Sequence, residues 1–294
     1  VVVLKDGRTL GYLTSGPQNG IAIFFFHGTP GSRLSFTADD RIALLPGVFM
    51  IFPERPGYGL STPKSERTLT GWSDDIVELA DQLGIDRYAV AGGSGGGPHA
   101  LACAWKNPER VFAAYLFGSP TPVESLSETK GMALANRLNF YIGTRMPWLV
   151  RFLMKQQAST VKKNPDKFIR AVAKQMSPAD RKIVEDERFQ ATIIKDLQEA
   201  YRQGWEAQFI DGQLMMSMRP WGFSLSEIAV PVHAWYGDQD TLVPATMAAK
   251  YSEIPGANVR IVPNVGHLLL ENGSGTVNEF ENALREEWRR ITSS

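Results

Sequence analysis

The segment YAVAGGSGGGPHALACA, Tyr88 to Ala104, constrains this chain more than any other. An apolar run ends in five glycines placed around Ser94 and passes straight into an alanine-rich stretch. That order reads as a strand, a sharp turn and a helix. Residues without Cβ let the chain bend and let strand and helix pack closely, while the serine at the bend is forced into a sparsely populated conformation. Its hydroxyl then projects at the carboxyl edge of a sheet, where a helix starting near Gly96 aims free N–H groups. The pattern is G-x-S-x-G in the strand–turn–helix setting that gives it chemical meaning.

The rest of the chain supplies a sheet for that turn. IAIFFF (Ile21–Phe26), VFMIFP (Val48–Pro53) and VFAAYLFG (Val111–Gly118) are continuous apolar runs, as expected of strands covered on both faces. GRTLGYLTSG (Gly7–Gly16), following VVVL, reads as an N-terminal hairpin. LTGWSDDIVELADQLG has helical spacing, with Trp72, Ile76, Leu79 and Leu83 on one side and Gly84 as the stop. The alternation predicts a mostly parallel α/β sheet with helices on both faces. From Thr121 to Ser226 strand signals vanish and Pro-led helical starts recur, with Asn164 and Ser177 as candidate N-caps. Strands resume at VPVHAWYG (Val230–Gly237) and NVRIVP (Asn258–Pro263), with a helix near Ala245–Glu253 and another at the C-terminus. The expected organisation is a core over 1–120 and 227–294 with an all-helical insertion over 121–226.

A serine hydroxyl needs a base to become a nucleophile. Four histidines are available. His27 lies in a Gly-rich loop, His99 is five residues past Ser94 on the same helix, and His233 is mid-strand. His267, in IVPNVGHLLL, follows a strand and a short loop, which puts it at the sheet's carboxyl edge. The imidazole in turn needs an anion to hold its tautomer, and YGDQDTLVP offers Asp238 and Asp240, of which Asp240 is preferred. The order is then Ser94, Asp240, His267. An oxyanion requires two preorganised N–H donors. Gly95, after the serine, supplies one candidate, and Thr29 in HGTPG the other, with His27, Gly28 and Gly31 shaping that loop.

With HGTPG at His27–Gly31, ERPGYGLS at Glu54–Ser61, GGSGG at Gly92–Gly96, GDQD at Gly237–Asp240 and VGH at Val265–His267, nearly the whole chain resembles the α/β-hydrolase superfamily. It is most similar to the serine-nucleophile branch with a helical cap, which includes esterases, lipases and haloperoxidase-like proteins. The resemblance implies an eight-stranded, mostly parallel sheet and an acid at the end of a G-x-x-D turn, hence Asp240. The family's other location for the acid, after the Val111–Gly118 strand, would offer Glu124. Two departures stand out. Glu54 replaces the usual Asp before Arg-Pro-Gly, which reads as altered loop support. Gly95 replaces a bulkier residue, which predicts a roomier pocket floor.

A serine at the turn points to acyl transfer: esters, thioesters, lactones or amides. Proton-abstracting lyase chemistry is the alternative on the same residues, and a small-molecule receptor or signalling protein that keeps the triad is the alternative from another class. Peptidase relatives bind a free amine through acidic cap residues, and the first half of this insertion is nearly devoid of acids. Between Lys130 and Lys182 twelve Lys and Arg stand against Asp166 and Asp180, a local net of +10 in a chain whose formal charge is zero. That half is either a set of solvated faces whose charges meet acids elsewhere, or a lid that attracts anionic substrates or lipid head groups. Phe140, Tyr141, Trp148, Met215 and Trp221 are the candidate lining of an apolar substrate pocket, although ordinary lid packing selects the same residue types. The expected partner is a small acyl compound, with no nucleic acid, no metal and no organic cofactor. Balanced charge names no polyanionic partner, and no run of about 18 apolar residues spans a membrane. The single cysteine, Cys103, suits the cytoplasm, while a start at VVVLKDG without methionine leaves a trimmed leader open.

Overall fold

The apolar runs do become buried strands. The computed structural model describes residues 1–36, 41–271, 273 and 275–293, with the side chains of residues 41, 135, 139, 141 and 144 outside the description. Val2–Val3 (β1) pairs with Thr9–Leu10 (β2) in an antiparallel ribbon of its own. The strand breaks off at Gly11, whose carbonyl accepts from Glu54 N at 2.8 Å, and the chain continues as Tyr12–Ser15 (β3). Then come Ile21–Phe26 (β4), Val48–Pro53 (β5), Leu69–Gln82 (α1), Tyr88–Gly93 (β6), Gly97–Lys106 (α2) and Val111–Phe117 (β7). Six helices follow: Leu134–Arg145 (α3), Pro147–Lys163 (α4), Pro165–Ala173 (α5), Pro178–Val184 (α6), Glu187–Ala200 (α7) and Glu206–Met215 (α8). Val232–Gly237 (β8), Asn258–Val262 (β9) and Thr276–Thr292 (α9) close the chain.

The sheet order is β3-β5-β4-β6-β7-β8-β9. Every pairing is parallel except β3 with β5. The main sheet therefore has seven strands among the described residues where eight were expected, since β1 and β2 pair with each other in a separate ribbon. Side chains alternate across β4. Phe24 and Phe26 pack with Trp72, Ile76 and Leu79 of α1, while Ile23 and Phe25 pack with Phe280 and Leu284 on the α9 side. Both faces are thus covered, which is why β4, β5 and β7 read as unbroken apolar runs. Strand order reverses between β4 and β6, so their carboxyl ends flank the crevice where open α/β sheets bind ligands.

Local signals hold at several ends. Thr68 Oγ1 caps α1 by accepting from Gly71 N at 2.9 Å, and Asn164 and Ser177 cap α5 and α6. The helix expected near Ala245–Glu253 forms with the tighter 3₁₀ geometry. No helix among the described residues is long and apolar enough to cross a membrane.

Candidate active site

Ser94 stands at the junction of β6 and α2 with φ +48, one of the few non-glycine residues in the left-handed region. The elbow depends on its glycines: a Cβ at Gly92 would come within 2.4 Å of the Gly96 carbonyl carbon. The HGTPG loop leaves β4 beside it, so that a Cβ on Gly28 would lie 3.6 Å from Ser94 Cβ. Gly95 does not open a roomier floor. The place of its missing Cβ is taken by Thr29 Oγ1 at 2.4 Å and Met215 Cε at 3.0 Å, so the vacancy left by glycine is filled from the facing loop and helix.

Asp240 follows β8 and His267 follows β9, and the two meet: His267 Nδ1 donates to Asp240 Oδ2 at 2.7 Å. The other carboxylate oxygen accepts from Leu242 N at 2.8 Å and Val243 N at 2.9 Å. The pair places the imidazole proton on Nδ1 and leaves Nε2 as an acceptor. Burial disfavours the imidazolium, but the Asp240 carboxylate outweighs it and holds the His267 pKa above the ordinary histidine value. Asp238 instead accepts from Val265 N at 3.3 Å, bonding the turn's own surroundings. Glu124 lies on the surface against Lys250 Nζ at 3.4 Å.

Ser94 and His267 line one cavity of about 160 Å³, walled by Phe25, Phe36, Phe117, Phe189, Ile193 and Leu269. No hydrogen bond joins Ser94 Oγ to the His267 ring among the described residues. Contacts of this kind are commonly loose without substrate and tighten on binding.

The other histidines are occupied elsewhere. His27 gives its Nδ1 proton to Gly28 O at 2.8 Å and accepts from Arg55 N at 3.2 Å. His99 Nδ1 lies 3.0 Å from Gly95 O, and burial pushes its pKa down to about 3. His233 stacks on Tyr115 and contacts Glu287 at 3.1 Å. The one thiol, Cys103, is buried and its pKa is pushed up to about 12, which removes it as a rival nucleophile at neutral pH.

The anticipated pocket lining needs correction. Trp148 is 64% exposed, Phe140 is buried in the core, and Trp221 belongs to a separate cleft of about 880 Å³ that reaches neither Ser94 nor His267. Met215 touches the elbow through Gly95 without lining the cavity at Ser94. The Tyr141 side chain lies outside the described residues. The reason is geometric: α7, not α3 or α4, lies over the serine and contributes Phe189, Thr192, Ile193 and Asp196.

Sequence reasoning also missed three buried carboxylates that tie the helical segment to the sheet edge. Asp211 of α8 meets the fully buried Arg55, whose Nε lies 3.0 Å from Oδ2, and accepts from Tyr58 OH at 2.9 Å and Thr29 Oγ1 at 3.2 Å. Arg55 also donates to Gly28 O at 2.8 Å and Thr29 Oγ1 at 2.9 Å, so the ion pair fixes the HGTPG loop from behind. Burial opposes the Asp211 charge, but Arg55 and Arg67 prevail and hold its pKa below the ordinary carboxylate range. Glu54, on the loop that carries Arg55, is buried and accepts from Leu60 N and from Arg33. Asp196 of α7 lines the cavity and accepts from Ser32 N at 2.8 Å, and burial raises its pKa to about 7.

The third is Asp180 of α6, whose two oxygens accept from His267 N and Leu268 N, each at 2.9 Å. Ser177, the candidate N-cap, accepts from Asp180 N at 3.2 Å and donates to Asp180 Oδ2 at 2.9 Å, a local role that hides the acid's longer reach. Asp180→Ala leaves both N–H groups without that acceptor. We expect a roughly tenfold or greater fall in kcat/KM with little change in KM, because the imidazole rides on this loop. Steady-state kinetics beside a thermal melt separates that outcome from general destabilisation.

A model of the alpha/beta hydrolase fold family matches residues 21–274. The chain belongs to that family. Within the α/β hydrolases it is 24% identical over 286 residues to a bifunctional esterase/perhydrolase of Acinetobacter calcoaceticus, covering 95% of this chain and 96% of that one. It is 36% identical over 114 residues to a probable proline iminopeptidase of Leptolyngbya boryana, a match that spans 38% of this chain and only 35% of the relative. Among solved structures, an esterase from Exiguobacterium antarcticum superposes with a TM-score of 0.69 at 16% identity, covering 97% and 98% of the two chains.

Proposed function

We propose that this α/β hydrolase cleaves a small or medium carboxylic ester through an acyl-enzyme on Ser94. The observation that carries the reading is the His267–Asp240 pair at 2.7 Å, opening into the same cavity as the strained serine. His267 Nε2 takes the Ser94 proton as Oγ attacks the ester carbonyl carbon, and Asp240 stabilises the imidazolium that forms. The backbone N–H groups of Thr29 and Gly95 receive the oxyanion. Collapse of the tetrahedral intermediate breaks the bond to the alcohol, which leaves with the proton from His267. Water, deprotonated by the same imidazole, then attacks the acyl-enzyme and frees the acid. The apolar wall and the volume of about 160 Å³ suit a short apolar acyl group. Residues 121–226 act as a cap in this reading.

A second reading, cleavage of an amide beside a free amine, has one observation in its favour: Asp196 and Glu271 line the cavity. Asp196 Oδ1 already accepts from Ser32 N, Ser32 Oγ and Ser35 Oγ, and burial raises the carboxyl pKa to about 7, both of which weaken it as an anchor for an ammonium group. Hydrolysis of p-nitrophenyl acetate should exceed that of amino-acid p-nitroanilides, and a fluorophosphonate should add one equivalent of mass on the peptide bearing Ser94. Labelling elsewhere, or faster anilide cleavage, would sink the ester reading.

A further inference from the structure

We infer that the α3–α4 face docks this protein on an anionic lipid surface. All twelve cations from Lys130 to Lys182 are exposed, whereas of the two acids in that stretch only Asp166 is. Asp180 is buried and engaged with the His267 loop. Arg145 aside, none of these cations has a carboxylate within 4.0 Å among the described residues. Arg145 aside, this basic charge meets no acid among the described residues and stands toward solvent.

Helices α3 and α4 of that stretch also carry apolar side chains that the fold leaves uncovered. Leu134, Leu138, Trp148, Phe152 and Leu153 are between 47% and 77% exposed. At about 100° per residue, Trp148, Phe152, Lys155 and Lys162 share one side of α4, opposite the buried Val150 and Val161. Aromatic rings interleaved with lysines on one exposed side are the composition of a helix lying in a bilayer interface, where rings enter the acyl boundary and ammonium groups reach the phosphates. A second copy of the chain is a poor occupant, because joining two such faces would oppose two strongly positive fields. An anionic lipid surface satisfies both the charge and the apolar side chains.

Flotation with vesicles of equal parts phosphatidylglycerol and phosphatidylcholine tests the assignment, with pure phosphatidylcholine vesicles as the comparison. Binding should require the anionic lipid and weaken as salt is raised. Phe152→Ser with Leu153→Ser, and separately Lys155→Glu with Lys162→Glu, should each weaken it by at least about tenfold. Both double variants should hydrolyse a soluble ester as the parent does, since none of these side chains reaches the cavity at Ser94. No binding to anionic vesicles at low salt would overturn the assignment. So would binding that both double variants retain, or a dimer dispersed by Phe152→Ser with Leu153→Ser in the absence of vesicle binding. These outcomes are independent of which acyl compound the site cleaves.

Discussion

Ser94→Ala is expected to lower ester turnover by on the order of 10⁴–10⁶ while leaving the fold nearly unchanged in stability. The hydroxyl makes no hydrogen bond among the described residues, so its loss orphans no partner. The backbone at φ +48 is held by the surrounding packing, with Gly92 letting Gly96 approach, and alanine occupies that conformation no worse than serine. A melting temperature within a degree or two of the parent's, together with loss of fluorophosphonate labelling, is the expected pair of results. A variant retaining more than a tenth of the activity would dismiss Ser94 as the nucleophile.

Asp240→Asn should cost about 10²–10⁴ in kcat/KM, against less than about tenfold for Asp238→Asn. Asp240 accepts a hydrogen bond from His267 Nδ1–H, and an amide there can present N–H where a carboxylate oxygen is needed, favouring the wrong tautomer. The pH profile carries a second signature. Neutral His267 is the active base, so activity rises with pH through its pKa, which lies above the ordinary histidine value despite burial because Asp240 favours the charged form. Removing that charge should move the acid limb of the profile to lower pH while the plateau falls. A limb that moves upward, or equal losses for the two aspartate variants, would move the acid elsewhere.

Much of this arrangement was legible in local chemistry. Wholly buried strands must be apolar on both faces, so IAIFFF and VFAAYLF announced themselves. An elbow that brings Gly92 against Gly96 tolerates almost nothing but glycine, which made the turn around Ser94 visible in one line of letters. The meeting of Asp240 and His267 was readable because each follows a strand, and parallel neighbours deliver their carboxyl ends to one edge.

Three-dimensional packing decided what local chemistry left open. Gly95 looked like space and is filled by Thr29 and Met215, because a missing Cβ says nothing of what moves into its place. Asp180, Asp196 and Asp211 resemble cap or surface acids in a helical stretch, yet each reaches a loop at the sheet edge far away in sequence. Trp148 was a candidate for the pocket lining and stands outward, since helical periodicity defines a face without orienting it. Strand order and glycine placement act through the backbone over short range, so the letters alone determined the sheet and the elbow. Which helix lies over Ser94, and which carboxylates hold its loops, depends on side chains brought together from distant segments, and only the tertiary fold set them.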